Sequence, residues 1–334
     1  MFIFKKNYIY KLLTLFIIFL FFLILSNNIN AASSDAVAVR VMSNNKHYSP
    51  LKWYKNKKFV GAPQSLTVDG YQAIRDGRTV YVNASNILGN SIYTNIYLLS
   101  YSQKPDKNTI DIYGRILANW QFNVNLMDAA NIGKCIISTK HCNEDKDCSK
   151  EQTCSEEKFC QYIKEISCYN DNECATGFFC SSAKAKATRD TKRLSDIEDI
   201  NSMMKVVKYP DLRAGSYLQG KSVSAWPSWN DALSKQLKNN LPKDPINKLV
   251  NNNISCDQTP KYDKITCWDN YQKLFINGPS NTLTTPIQLN TGSLAYTYYY
   301  IPAVGNTPAN YNLCAKIEGS YGNLGNNICV DRTN

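Results

Sequence analysis

An apolar run from Leu12 to Leu25 follows a short basic stretch (Lys5, Lys6, Lys11) and gives way to polar residues ending in Ile29-Asn30-Ala31-Ala32. That order predicts residues 1–31 to be a secretory signal peptide cleaved after Ala31. The alternative is an uncleaved N-terminal membrane anchor, because Tyr8 to Leu25 is about 18 residues, the lower edge of a spanning helix. No cysteine precedes Cys135, so lipid attachment at an N-terminal cysteine is excluded, and no second apolar segment follows downstream. Either way the body of the chain is expected outside the cytoplasm, at the cell surface or beyond it.

Past the leader, Val37, Val39 and Val41 alternate with other residues, which predicts a strand. Ser49-Pro50 ahead of Leu51, Trp53 and Tyr54 predicts a helix capped by the serine, with proline at its first position. Asp76-Gly77 marks a turn into the strand-like Thr79-Val80-Tyr81-Val82, and Ile92 to Tyr101 predicts a second, longer strand rich in β-branched and aromatic residues. Ile110, Tyr113, Leu117 and Trp120 share one helical face. Residues 36–125 therefore read as an α+β domain, a helix on a mainly antiparallel sheet.

The pattern then changes to a small module, residues 135–182. Eight of the chain's 12 cysteines fall here: Cys135, Cys142, Cys148, Cys154, Cys160, Cys168, Cys174 and Cys180. Cys142-Asn-Glu-Asp-Lys-Asp-Cys148 with Cys154 recurs 26 residues later as Cys168-Tyr-Asn-Asp-Asn-Glu-Cys174 with Cys180. The two copies are expected to fold alike. So short a stretch with few large aliphatics builds no hydrophobic core, and disulfides are expected to replace one, in any of 105 pairings. Zinc is disfavoured because five residues separate the cysteines within each copy, wider than the usual ligand spacing. Asp145, Asp147, Asp171 and Glu173 lack the calcium-loop pattern and read as solvated turn carboxylates. The C-x-x-D-x-[DE]-C-x5-C spacing resembles extracellular cysteine-rich repeats, including the N-terminal cysteine-rich domain of the Dickkopf family, and that resemblance implies a spacer or interaction role.

Leu194, Ile197, Met204 and Val207 recur at helical spacing, with Arg189, Asp190, Lys192, Arg193 and Asp196 expected on the outer face, so Ala183 to Val207 reads as an amphipathic helix ended by Pro210. A short helix near Trp229 to Leu237 and short strands such as Leu294 to Ile301 are expected to follow. Among Cys256, Cys267, Cys314 and Cys329 the preferred pairing joins neighbours, Cys256 to Cys267 and Cys314 to Cys329. Arg189 to Ile197 on a long helix, then Tyr209-Pro210, Leu241-Pro242-Lys-Asp244-Pro245, Tyr296 to Tyr300 and Tyr311-Asn-Leu-Cys314, resembles the globular part of type IV pilins and type II secretion pseudopilins. The resemblance implies that residues 183–334 form a pilin-like α+β domain, a long helix packed on a small antiparallel sheet. One departure stands out: pilins run an apolar assembly helix directly into this helix, whereas here the cysteine module precedes it and no prepilin-peptidase site heads the chain. The three-part layout as a whole resembles exported surface proteins of small-genome bacteria.

Composition adds little to this picture. Of the formal charge of +11, three lysines belong to the leader, leaving about +8 spread without a basic stripe, so no nucleic-acid partner is expected. None of the common nucleophile-elbow, metalloprotease, Walker or dinucleotide motifs occurs, and neither histidine, His47 or His141, has a partner at motif spacing. No cofactor and no metal are expected. Asp69, Asp76 and Asp111 are the candidate carboxylates for glycoside hydrolysis in the first domain, although Asp69-Gly70 and Asp76-Gly77 also read as turns. Among 22 tyrosines and five tryptophans, Trp226, Trp229, Tyr298, Tyr299 and Tyr300 form dense clusters. Three tyrosines in succession cannot all face one core, so these are the candidate binding surface for an extracellular protein or glycan. The expectation is a non-enzymatic surface interaction or adhesion protein whose cysteine module is a stiff spacer. The alternatives are a secreted hydrolase of envelope glycans and a pseudopilin-like structural subunit.

Overall fold

A computed structural model describes residues 35–125, 132–138, 142–156, 159–206, 240–246 and 311–332, with Ser234 and strand pieces at 224–225, 268–269, 274–275 and 299–302. It is a mixed helix and sheet structure with small antiparallel sheets around a disulfide-rich region. The leader, His141, Val207, the Trp229 to Leu237 helix, Trp226, Tyr298 and the Cys256 to Cys267 pair lie outside the described residues.

The first sheet is built from β1 (Val37–Ser43), β2 (Gln64–Val68), β3 (Tyr71–Asp76), β4 (Thr79–Leu88) and β5 (Ser91–Tyr101). All neighbours are antiparallel, in the order β1-β5-β4-β3-β2. The hairpin between β2 and β3 turns on Asp69 and Gly70, both at positive φ (50° and 79°), which is the requirement that makes an Asp-Gly pair a hairpin signal. Helix α1 (Pro50–Asn56) starts as its sequence predicts, with Ser49 Oγ accepting from Lys52 N at 3.2 Å and proline opening the first turn. Helix α2 (Lys107–Ala118) is capped by Asp106, whose Oδ1 accepts from Thr109 N at 2.7 Å.

Both faces of this sheet are covered. Val80, Val82, Ala84 and Leu99 pack with Tyr113 of α2 and with Phe122 and Val124 beyond it, while Ile74, Tyr81 and Ile96 pack with Trp53 and Tyr54 of α1. The expected α2 face is present in Tyr113, Leu117 and Trp120. Ile110, one turn earlier, is exposed, as are Val39 and Val41 on the edge strand.

The cysteine module contributes β6 (Gly133–Ser138), β7 (Gln152–Cys154), β8 (Cys160–Tyr162), β9 (Ser167–Cys168) and β10 (Phe178–Cys180). Strand β6 lies between β10 and β9, and β7 pairs with β8. Helix α3 (Ala183–Val206) follows at once. Beyond it come β11 (Ser224–Ala225), the β12 (Trp268–Asp269) and β13 (Leu274–Phe275) hairpin, β14 (Tyr299–Pro302), β15 (Tyr311–Lys316) and β16 (Asn327–Arg332). A second antiparallel sheet runs in the order β11-β14-β15-β16.

Helix α3 corrects one sequence expectation. Leu194, Ile197 and Met204 are buried as predicted, but so are Arg189, Asp190, Arg193 and Asp196, and Lys192 is half-buried. There is no outer face along most of its length, because the helix is inserted between other parts of the chain. Ile197, Ile200 and Met204 pack against Leu313 and Ala315 of β15. On another side, Ser195 Oγ accepts from Asn83 Nδ2 of β4 at 2.7 Å, and Lys52 Nζ of α1 donates to Glu198 O at 3.0 Å. At its start, Ala185 packs on Cys135, Cys168 and Cys180. Hydrophobic periodicity locates the residues facing one sheet, and it carries no signal for charged residues that find partners instead of water.

Candidate functional site

The two cysteine copies fold alike down to single hydrogen bonds. Cys142 joins Cys154, and 26 residues on Cys168 joins Cys180. Asp145 Oδ1 accepts from Cys154 N at 2.7 Å; its counterpart Asp171 Oδ1 accepts from Cys180 N at 2.8 Å. Asp147 Oδ2 accepts from Asn143 N at 2.9 Å, and Glu173 Oε2 from Tyr169 N at 3.0 Å. The acidic filling of each copy therefore satisfies backbone donors in a tight turn. Asp145, Asp147 and Glu173 are exposed, as solvated turn carboxylates should be, but Asp171 is half-buried and paired with an arginine.

The copies differ in how they are closed. In the first, Cys148 joins Cys160, and β8 carrying Cys160 pairs with β7. The second has no cysteine after Cys180 in the module, and its Cys174 joins Cys135, which precedes both copies. Strand β6 carries Cys135 opposite Cys180 just as β8 carries Cys160 opposite Cys154. The first strand of the module thus completes its last repeat. Gly133 makes this possible: a Cβ there would lie 2.1 Å from Ser182 N. With Cys314–Cys329 in the second sheet, as expected from neighbour pairing, no cysteine among the described residues is free.

Helix α3 carries a buried charge network that joins the module to the second sheet. Arg189 donates Nε and Nη2 to the two oxygens of Glu318 at 2.7 and 2.6 Å, Nη1 to Asp171 Oδ1 at 2.5 Å, and Nη2 to Cys180 O at 2.9 Å. Arg193 donates Nη1 to Glu318 Oε1 at 2.5 Å and to Asp190 Oδ1 at 2.8 Å. Asp190 also accepts from the backbone of Glu318 and Gly319. Burial pushes the Glu318 carboxyl up, but the Arg189 hydrogen bonds and the charges of both arginines outweigh it and hold the group below its ordinary value. For Asp190 burial wins over the nearby Arg193, and its carboxyl is raised. Nearer the first sheet, Lys184 pairs with Asp69 at 2.8 Å, and Asp69 Oδ2 accepts from Phe122 N at 2.7 Å.

A cleft of ≈ 470 Å³ opens where these parts meet, lined by Ile87 and Asn90 of the β4–β5 hairpin, Ile132, Lys186 of α3, and Ser320 and Tyr321. Two residues after Tyr321, Asn323 ties that segment to β5: its Oδ1 accepts from Ile92 N at 3.0 Å and its Nδ2 donates to Ile92 O at 2.7 Å.

Two of the candidate carboxylates, Asp69 and Asp76, are not brought together. Asp69 lies in the turn before β3 and Asp76 is the last residue of that strand, about 20 Å apart at about 3.3 Å per residue, whereas glycosidase carboxylate pairs need about 5–9.5 Å. Asp76 accepts from Tyr54 Oη at 2.5 Å, and Asp111 is exposed on α2. His47 Nδ1 lies 3.0 Å from Thr94 Oγ1, and burial pushes its ring below the ordinary value. Of the aromatic candidates, Tyr299 and Tyr300 lie on β14 opposite Cys314 and Leu313, while Trp226, Trp229 and Tyr298 fall outside the described residues. Among the described residues no helix is long and apolar enough to cross a membrane. The α3 network escaped sequence reading, although the density of Arg and Asp between Arg189 and Asp196 was its visible trace. Compared with known proteins, the chain matches no family model, no curated protein and no solved structure.

Proposed function

We propose that this chain is an exported cell-envelope or surface protein with a non-enzymatic interaction or adhesion role, binding an extracellular protein or glycan. The observation that carries the reading is the eight-cysteine module, in which four disulfides stand in for a hydrophobic core. Such a module persists in an oxidising compartment, which agrees with the apolar leader. The charged side chains of α3 support a role in holding surfaces in place, since they bond to one another and to backbone. The test is protease shaving of intact cells, combined with alkylation and intact mass of the recovered chain. Recovery from the outer surface with blocked cysteines is expected; a cytosolic chain with alkylatable thiols would overturn the reading. Release of soluble sugars from envelope preparations by the purified protein would instead favour the hydrolase.

The packing of α3 on β15 favours a second reading, a pilin-like structural subunit. Sedimentable assemblies of the native protein would support it, and a monomer at all concentrations would remove it.

A further inference from the structure

The module contains an equivalent carboxylate turn twice, holding an arginine in one copy and no cation among the described residues in the other. In the second copy Arg189 donates to the Asp171 carboxylate and to the Cys180 carbonyl, and its guanidinium lies 5.8 Å from the Phe179 ring centroid. The residues 26 positions earlier are Asp145, Cys154 and Thr153. Their backbone geometry is the same, Asp145 being oriented by Cys154 N as Asp171 is by Cys180 N, while on Asp145 the Thr153 hydroxyl bonds the oxygen that in the second copy takes Arg189. Ser155 N donates to Phe159 O and Ile163 N to Glu151 O, so alternation along the hairpin turns the Cys154 amide and carbonyl away from β8. The amide goes to Asp145, whose Oδ1 also takes the Thr153 hydroxyl at 2.6 Å. Among the described residues no cation reaches Asp145, which is exposed. The Thr153 hydroxyl and the Cys154 amide hold its carboxyl below the ordinary value, so it is an anion at neutral pH.

We propose that the Asp145–Cys154 face of the first repeat is a docking site for an arginine side chain of a partner protein. The filled copy is the independent observation that names the ligand: equivalent atoms already hold a guanidinium within this chain. A planar fork offers parallel donors on two nitrogens, one for the carboxylate and one for the carbonyl, whereas an ammonium must reach both acceptors from a single nitrogen. Charge agrees, since residues 142–160 carry six acidic residues against three lysines in a chain of formal charge +11. Thr153 in place of Phe179 removes the aromatic platform, so the site suits a reversible contact made by another molecule.

The site is tested on the full oxidised protein by NMR titration with the peptide acetyl-Gly-Arg-Gly-amide and with its lysine analogue. Saturable shifts of the Asp145 and Cys154 amides are expected with the arginine peptide, at least tenfold tighter than with lysine, and lost in Asp145→Asn. Thr153→Phe, which supplies the ring of the filled copy, is expected to tighten binding severalfold. Equal response to both peptides, no saturation at these amides, or unchanged affinity in Thr153→Phe would overturn the proposal. If Asp145→Asn fails to fold, the wild-type comparison and Thr153→Phe still decide. The assay uses purified protein, so its failure leaves the shaving test of cellular location untouched.

Discussion

Arg193 donates its Nε and Nη2 to the two oxygens of Asp244, at 2.7 and 2.9 Å, across 51 positions of sequence and with neither side chain exposed. The same guanidinium bonds Asp190 and Glu318, so one residue of α3 holds its own helix, the Leu241–Ile246 stretch and the segment after β15. Removing it would take a cationic partner from three buried carboxylates, Asp190, Asp244 and Glu318. Arg193→Ala is expected to cost about 3–5 kcal/mol, the range for breaking a buried pair. Arg193→Lys should recover only part of that, because an ammonium cannot bond both Asp244 oxygens in one fork. Denaturant unfolding under non-reducing conditions measures both, and a loss within about 0.5 kcal/mol for Arg193→Ala would contradict the assignment.

Acid sensitivity should be carried by Glu318. Its folded value is depressed, so its stabilisation is complete above the unfolded value of 4.5 and disappears as pH falls through the lower folded value. Asp190 and Asp171 act in the opposite sense: burial raises both, so they favour the folded state as pH falls towards 3.8. Stability should therefore not decline on acidification from pH 7 to about 4.5 on account of these groups, and should fall below that. Glu318→Gln is expected to flatten the acid limb and to lower stability at pH 7. Thermal unfolding followed from pH 3 to 7 distinguishes this from a variant that merely shifts the whole curve.

The disulfide connectivity is directly checkable. Proteolysis under non-reducing conditions followed by mass spectrometry should yield Cys135–Cys174, Cys142–Cys154, Cys148–Cys160, Cys168–Cys180 and Cys314–Cys329. Replacing Cys135 and Cys174 together by serine should destabilise the chain by about 2–5 kcal/mol while Cys142–Cys154 and Cys148–Cys160 still form. Loss of those two pairs in the double variant would show that the copies are not closed independently.

Gly133→Ala should be destabilising by about 1–3 kcal/mol through overpacking, because the new methyl meets backbone of Ser182 rather than a movable side chain. Gly89→Ala, at positive φ with open space around it, should cost only its backbone strain, about 1–2 kcal/mol. A larger loss at position 89 than at 133 in the same unfolding assay would reverse the argument.

Local rules made much of the first sheet legible. Asp69-Gly70, Ser49-Pro50 and the β-branched and aromatic run from Ile92 to Tyr101 each encode structure within a few residues, and each formed as expected. The 26-residue spacing likewise disclosed two equivalent copies. What sequence could not disclose depends on distant partners. Cys135 closes the second copy across 39 positions, one solution among the 105 pairings. Arg189 and Asp190 look like a solvated face until Glu318, more than a hundred residues later, arrives beside them. The Val39 and Ile110 positions show the reverse, apolar residues in the right periodicity that stay exposed.

The closing of the second copy by Cys135 bears on how the chain is made. Every native pair in the module passes over at least one other cysteine: Cys142 skips Cys148, Cys148 skips Cys154, Cys168 skips Cys174, and Cys135 skips five. A chain emerging N-terminus first, and oxidised in order of emergence, would join Cys135 to Cys142 and commit the module to the wrong set. Cys135 must wait as a thiol until Cys174 is present, or be released from an early partner by exchange. The order of the cysteines therefore ties the yield of this protein to the shuffling capacity of the compartment in which it matures.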